Sequence, residues 1–167
     1  MTRRFVVPAA ILVVLIGAAV FAWRTRETPN EREIRGRLDA LRNEVNTSTK
    51  DGMGVALHAA QIGSYFTDDA IVELGEGAAP IKGRDTIMGM VARLQPRTAA
   101  FRMDLDDITI EMVPDSNAAD VLLTASFVRR NISTGEESLD AREYAVVMTK
   151  ADGTWRIARI TTIDTLR

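Results

Sequence analysis

The chain of 167 residues contains no cysteine, which excludes disulfide bonds, thiolate metal ligands and a cysteine nucleophile. It has a single histidine, His58, so a metal centre built from several histidines is excluded as well. The 23 acidic and 21 basic side chains are nearly balanced and well mixed, which gives no sign of nucleic-acid binding. We therefore expect no metal, no cofactor and no nucleic-acid partner.

The most prominent feature that is present is an apolar run over residues 5–22, FVVPAAILVVLIGAAVFA, eighteen residues without a charge. A helix of ~17–25 apolar residues spans a bilayer, and Trp23 favours the headgroup region. Residues 1–23 are therefore predicted to be a transmembrane anchor that contacts lipid through residues 5–23. The alternative is a cleaved signal peptide, because residues 20–22 resemble a cleavage site, although signal cores usually span only ~7–15 residues.

Two features of the sequence predict opposite orientations for this anchor. A count of basic residues on the two sides of the run places the C-terminal part of the chain in the cytoplasm. Several of the later arginines belong to the folded domain, however, and Arg3 and Arg4 give the leader the basic start of an export signal. We expect a single-pass membrane protein whose domain lies on the periplasmic or extracellular side.

After the anchor, residues 24–30 read as a linker and residues 31–167 as one domain of ordinary size. Apolar residues at spacings of three and four predict helices. These helices cover residues 31–46, 51–65 and 84–95, with Ile34, Leu38, Leu41 and Val45 as the apolar stripe of the first and Val55, Leu57, Ala60 and Ile62 as the apolar positions of the second.

Beyond Pro96 the apolar residues alternate with polar ones, which predicts β-strands. The strands cover residues 101–113, 121–132, 139–150 and 155–163, after earlier strands at residues 70–74 and around Ile81. A phase slip near Asp106 and Asp107 indicates a β-bulge. Helices on one side of an antiparallel sheet give an α+β fold.

Three short motifs in this order resemble a known superfamily: residues 65–70 (YFTDDA), 81–85 (IKGRD) and 152–157 (DGTWRI). Their order and spacing resemble the nuclear transport factor 2-like superfamily, in its SnoaL-like and ketosteroid-isomerase-like branch, over about residues 31–167. The resemblance implies a cone in which a strongly bent antiparallel sheet wraps around the N-terminal helices. It also implies a pocket at the open end and homodimers that pack through the outer face of the sheet.

The isomerases of this branch use an aspartate as general base, and the resemblance places that position at Leu74, which cannot accept a proton. We also find no acidic hydrogen-bond donor around residues 145–147. The resemblance therefore implies a binding pocket without the isomerase machinery. The candidates for its lining are Leu74, Arg142, Tyr144 and Trp155.

Other residues have both a functional and a structural interpretation. His58 could act as a general base from the second helix, although a partly exposed helix histidine is the simpler expectation. Asp104 and Asp106 could share one strand face and hold a calcium ion, or simply form a solvated face. A triad of Ser64, His58 and Asp68 can be written down, but nothing suggests a nucleophile elbow.

Basic residues of the predicted sheet have the same double interpretation. Arg142 and Tyr144 could point into the cone and bind a carboxylate. The alternative is an ordinary cross-strand ladder in which Arg129 or Arg130 pairs with Glu143.

The sequence thus favours a membrane-tethered SnoaL-like domain that binds a small apolar ligand or a protein partner without catalysis. One alternative is a small pocket enzyme of the isomerase, hydrolase or cyclase kind, with His58 or Tyr144 as the catalytic residue. The other is an assembly module of a membrane complex similar to VirB8-like proteins, which share the layout of one anchor followed by such a domain.

Overall fold

The computed structural model describes residues 27–47, 52–75, 77–94, 99–131 and 134–163. The chain divides into two compact units, residues 1–32 and 33–167. The predicted anchor, residues 1–23, lies outside the described residues. Among the residues that are described, no helix is long and apolar enough to cross a membrane.

The described part of the chain contains three helices and six strands, and each predicted helix and strand is among them. In chain order they are α1 (Pro29–Val45), α2 (Gly52–Gly63), β1 (Phe66–Glu73), β2 (Ile81–Lys82), α3 (Arg84–Leu94), β3 (Ala99–Met112), β4 (Ala118–Asn131), β5 (Glu137–Ala151) and β6 (Thr154–Ile163). The largest difference from prediction is β1, which begins at Phe66 rather than at residue 70. Asp68 and Asp69, which fall between the predicted helix and the predicted strand, lie within this strand.

The six strands form one sheet in the order β2-β1-β6-β5-β4-β3. The prediction of an antiparallel sheet is wrong at one place, because β1 and β6 pair in parallel and the sheet is therefore mixed. Short connections make β3 to β6 an antiparallel meander. After β2 at one edge of the sheet, the chain crosses through α3 to β3 at the other edge, and this crossover sets the relative direction of the first and last strands.

Local backbone features confirm the predicted β-bulge and show how two of the motifs turn the chain. The register of β3 and β4 shifts between Asp106 and Thr109, and Asp107 has a φ of 52°, so the predicted β-bulge is present. Asp152 and Gly153 have φ values of 53° and 74° in the tight turn that joins β5 to β6. Gly83 has a φ of 85° at the entry to α3, where a residue with a Cβ would be strained.

The hydrophobic core lies between α1 and one face of the sheet. Ile34, Leu38 and Leu41 are buried as predicted, in one cluster with side chains from α2, α3 and the strands. The apolar positions assigned to α2 are partly wrong, because Leu57 is 62% exposed and Ala60 is exposed as well. In α2 the residues that turn inward at helical spacing are Val55, His58, Ala59 and Ile62.

Candidate ligand site on the inner face of the sheet

Alternate residues of β4 and β5 form the inner face of the sheet, on the side of the core. Along β5 the burial of these residues falls steadily. Met148 and Val146 are 0% and 3% exposed, Tyr144 is half-buried and Arg142 is exposed. We call the Met148 end of this face the closed end and the Arg142 end the open end.

Strand register places apolar side chains beside the polar residues of the open end. Tyr144 is paired with Leu123 of β4 and with Thr162 of β6, and Arg142 is paired with Ala125. One step further along β4, Phe127 is half-buried. Its ring stacks on that of Phe101, with centroids 5.7 Å apart and planes at 28°. The open end thus combines an apolar wall with a phenol and a guanidinium.

Tyr144 carries a phenol that stays protonated well above neutral pH. Burial raises the pKa of Tyr144, with a smaller raising effect from Asp140, while the positive charge of Arg142 acts in the opposite direction. Its hydroxyl has no hydrogen bond to any residue that the structure describes. It can therefore donate a hydrogen bond to a ligand.

Arg142 has a partner on its own strand. Its Nε donates a hydrogen bond of 3.2 Å to Oδ1 of Asp140, two residues earlier and on the same face. The predicted pairing of Arg129 or Arg130 with Glu143 is wrong, because Arg130 lies opposite Glu137 in the register and 4.0 Å from its carboxylate. Glu143 lies opposite a threonine instead.

The four predicted pocket residues do not all meet. Leu74 directly follows β1 and is 44% exposed. It is close to the open end, because the carbonyl of Glu73 accepts a hydrogen bond of 3.3 Å from Thr162, the register partner of Tyr144. Trp155 is 2% exposed and pairs with Lys150 at the closed end, about 20 Å along β5 from Tyr144 at ~3.3 Å per residue.

His58 differs from its predicted partly exposed state. Its side chain is only 5% exposed, and Nδ1 lies 3.0 Å from Oε1 of Glu44 at the end of α1. A neutral imidazole donates its Nδ1–H to this carboxylate, which leaves the Nε2 lone pair as an acceptor. The arrangement is that of a histidine base oriented by an acid.

Sequence reasoning missed two residues near the end of α1, one within the helix and one just after it. Glu44 follows Leu41 by three residues and therefore shares the side of the apolar stripe, which was the available signal. The second is Asn46. Its side-chain amide bonds to the backbone of Met103 twice, donating to the carbonyl at 2.8 Å and accepting from the amide at 2.7 Å.

The remaining candidates have other partners. The Ser64 hydroxyl donates a hydrogen bond of 2.7 Å to the carbonyl of Gln61, and Asp68 forms an ion pair with Arg84, so the triad with His58 is not assembled. Arg102 donates a hydrogen bond of 2.8 Å to Asp104 and holds the pKa of this carboxyl below its usual range. In the described ranges no three His, Asp or Glu residues are grouped so that they could hold a metal.

Comparison with solved structures supports the fold. A candidate scytalone dehydratase from Novosphingobium aromaticivorans superimposes with a TM-score of 0.67 at 16% identity, covering 82% of this chain and 85% of its own. ActVI-ORFA from Streptomyces coelicolor superimposes with a TM-score of 0.64 at 14% identity, covering 83% of this chain and 100% of its own. A ketosteroid isomerase-like protein from Erwinia carotovora atroseptica superimposes with a TM-score of 0.61 at 20% identity, covering 81% of this chain and 96% of its own.

These identities establish the fold alone, and no curated protein matches the chain. The family itself follows from a sequence match, since the family model described as a SnoaL-like domain covers residues 56–161, more than half of the chain. The match includes α2 from Ala56 and every strand of the sheet up to Thr161. The chain belongs to the SnoaL-like domain family.

Proposed function

We propose that this chain is a membrane-tethered SnoaL-like domain that binds a small, largely apolar ligand at the open end of the inner sheet face without catalysing a reaction. The observation that carries the proposal is the burial gradient along β5, from enclosed Met148 to exposed Arg142. An apolar surface that continues from the core into a half-exposed wall is the usual setting of a small-molecule site.

The side chains at the open end define the chemistry of the ligand. Its apolar body would lie against the stacked rings of Phe101, which is 39% exposed, and half-buried Phe127. Leu123 and Ala125, 5% and 4% exposed, belong to the core beneath this site. Its polar end would accept a hydrogen bond from the Tyr144 phenol. The exposed guanidinium of Arg142 adds positive charge beside that hydroxyl, which favours an acceptor with negative charge.

A fluorescent probe tests this site directly. We expect anilinonaphthalene sulfonate, an apolar aromatic anion, to bind in a saturable way and to bind several-fold more weakly to Tyr144→Phe and Arg142→Gln. The matched control is Arg130→Gln, on the outer face of β4. Equal affinity in all variants would contradict a site at Tyr144 and Arg142.

We propose that the domain lacks isomerase activity because Leu74 occupies the position at which the isomerases of this branch have their aspartate base. A placed base typically contributes ~10²–10⁴-fold to a rate. We expect no turnover of a ketosteroid isomerase substrate by the native domain. Measurable turnover would overturn the non-catalytic part of the proposal.

The pairing of His58 with Glu44 favours a second candidate, a small pocket enzyme in which His58 Nε2 accepts a proton. Glu44 would act as a positioning residue that holds the imidazole in one tautomer. This candidate predicts turnover, in a panel of isomerase, hydrolase and cyclase substrates, that is lost in His58→Gln and reduced in Glu44→Gln. Activity that survives His58→Gln would exclude it.

Membrane tethering through residues 5–23, export of the domain and formation of homodimers complete the proposal. The apolar run of eighteen residues supports the tether, and the resemblance to dimeric superfamily members supports the dimer. Flotation of the full chain with lipid vesicles tests the tether. Accessibility of the domain to protease added outside intact cells tests export.

A further inference from the structure

The outward face of α2 is apolar and exposed over two turns. Met53 and Leu57 are 87% and 62% exposed, and Ala56 and Ala60 are exposed between and beyond them. These four residues stand at helical positions i, i+3, i+4 and i+7, so they form one continuous face. We call it the α2 face.

The helix contains no Asp, Glu, Lys or Arg, and its one histidine, His58, is buried. Its opposite side is also apolar, with Ala59 and Ile62 buried. Among the described side chains of α2 only His58 and Gln61 are polar, and a helix with so few polar side chains is normally covered on most of its surface. Other large exposed apolar side chains of the described residues, such as Leu74 and Leu122, lie on separate elements. Leu74 stands alone and needs no partner, whereas Leu122 lies on the outer sheet face that the proposed homodimer would cover.

We propose that the α2 face lies on the lipid bilayer that holds the N-terminal anchor, an inference that rests on the tether proposed above. Only the six residues 23–28 separate the apolar run from the start of α1 at Pro29. An extended segment of that length spans at most ~20 Å. The domain therefore stays at the membrane surface.

The short tether explains how a face of only four side chains can be enough to hold the domain against the bilayer. In a free protein, the free energy gained when Met53 and Leu57 contact lipid would have to offset the cost of lost translational freedom. On a short tether the contact becomes intramolecular, with an effective concentration in the millimolar range. The α2 face also has no charge that would have to leave water as it enters the headgroup region.

A second copy of the chain fits this face less well. A stable interface buries about 800 Å² per partner, which usually takes ~20–30 residues on each side. The α2 face provides four, of which two are alanines.

The absence of cysteine makes the test specific, because one introduced thiol can carry the only label. We would prepare the full chain as Leu57→Cys and as Met53→Cys, label it with an environment-sensitive nitrobenzoxadiazole, and reconstitute it in phosphatidylcholine–phosphatidylglycerol vesicles. The matched control is Leu139→Cys, an equally exposed leucine (69%) on β5. We expect blue-shifted emission and quenching by nitroxide-labelled lipids at positions 53 and 57, and no lipid quenching at position 139, which lies on the outer sheet face of the proposed homodimer.

The other outcomes overturn the proposal in distinguishable ways. Chains that float with vesicles but show water-like, unquenched emission at positions 53 and 57 would exclude the lipid contact and leave the tether intact. Emission that shifts with protein density, without quenching by nitroxide lipids, would replace the bilayer by a second copy. Chains that do not float would overturn the tether and the contact together.

Discussion

At the scale of single residues, two helix glycines differ in what surrounds them. A Cβ at Gly63 would lie 2.5 Å from Cγ of Met88, whereas a Cβ at Gly36 on α1 would meet nothing within 4 Å. Alanine stabilises an exposed helix interior by up to ~1 kcal/mol relative to glycine. We expect Gly36→Ala to raise the free energy of unfolding by about this amount.

Gly63→Ala should have the opposite effect, because α2 and α3 approach each other closely at this point. Forcing an extra methyl into a packed contact typically costs ~1–3 kcal/mol. Urea denaturation of the two variants measures both values. In the double variant Gly63→Ala/Met88→Ala part of the loss at position 63 should be recovered. A Gly63→Ala protein as stable as the parent would show that this contact is not close.

The residue scale also shows where sequence patterns stop being informative. The stripe Ile34, Leu38 and Leu41 was correct because helical spacing alone determines which side of a helix is buried. Leu57 and His58 were assigned wrongly because nearly every position of α2 is apolar, so no periodicity distinguishes its two sides. The partner of His58 could not be predicted at all, since Glu44 meets it only when two helices pack.

At the scale of elements, Asn46 connects the end of α1 to β3, an edge strand of the sheet. Its amide occupies both the N–H and the C=O of Met103, as a neighbouring strand would. Leaving these groups unpaired should cost ~1–3 kcal/mol. We expect Asn46→Ala to lower stability by about this amount and to speed hydrogen exchange at the Met103 amide. Asn43→Ala, at an exposed position of α1, should not lower stability, because alanine is the better helix former, and should leave exchange at Met103 unchanged.

The other end of α1 is held to the sheet by charge. Nζ of Lys150 donates a hydrogen bond of 2.6 Å to Glu33 and lowers the pKa of this carboxyl. A carboxyl with a lowered folded-state pKa stabilises the fold above its unfolded pKa of about 4.3, and this contribution is lost as the pH falls through the folded value.

Thermal melts of Glu33→Gln should therefore show a lower midpoint than the parent at pH 7. The difference should shrink as the pH falls below about 4.3, where the parent loses the same charge. Glu111→Gln on exposed β3 provides the control. If the difference between Glu33→Gln and the parent is independent of pH, the ion pair does not contribute.

Element prediction from sequence succeeded for the strands of the meander, whose alternation and turns are local. Asp152 and Gly153 specify a tight hairpin wherever they occur between two strands. The parallel pairing of β1 with β6 depends on residues ~90 positions apart in the chain, as in Ile71 opposite Arg159. No local pattern encodes that contact, so the antiparallel expectation failed there.

At the scale of the whole molecule, the open end could be predicted only in part. Tyr144 and Arg142 were identified because alternation along β5 places them on one face. The distance of Trp155 from that end depends on register between β5 and β6, which sequence does not state. The Arg142–Asp140 pair, by contrast, could have been predicted, because its two residues lie two positions apart on the same face of one strand.

We expect two copies of the chain to pack against each other through the outer face of the sheet. Leu122 is 45% exposed there and lies opposite Ala145, while Val128 lies opposite Leu139, which is 69% exposed. Small and apolar side chains on a broad antiparallel surface can pack against a second sheet. We expect residues 27–167 to sediment as a dimer at micromolar concentration.

A charge placed in the centre of that face should separate the subunits, because a buried unpaired guanidinium is costly to desolvate. We expect Leu122→Arg to sediment as a monomer with an unchanged circular dichroism spectrum. Leu74→Arg is the matched control, since Leu74 is 44% exposed and follows β1 outside this face; it should remain dimeric. If both variants stay dimeric, the subunits pack elsewhere. If the parent is monomeric at every concentration, the outer face faces solvent and the resemblance to dimeric relatives does not extend to assembly.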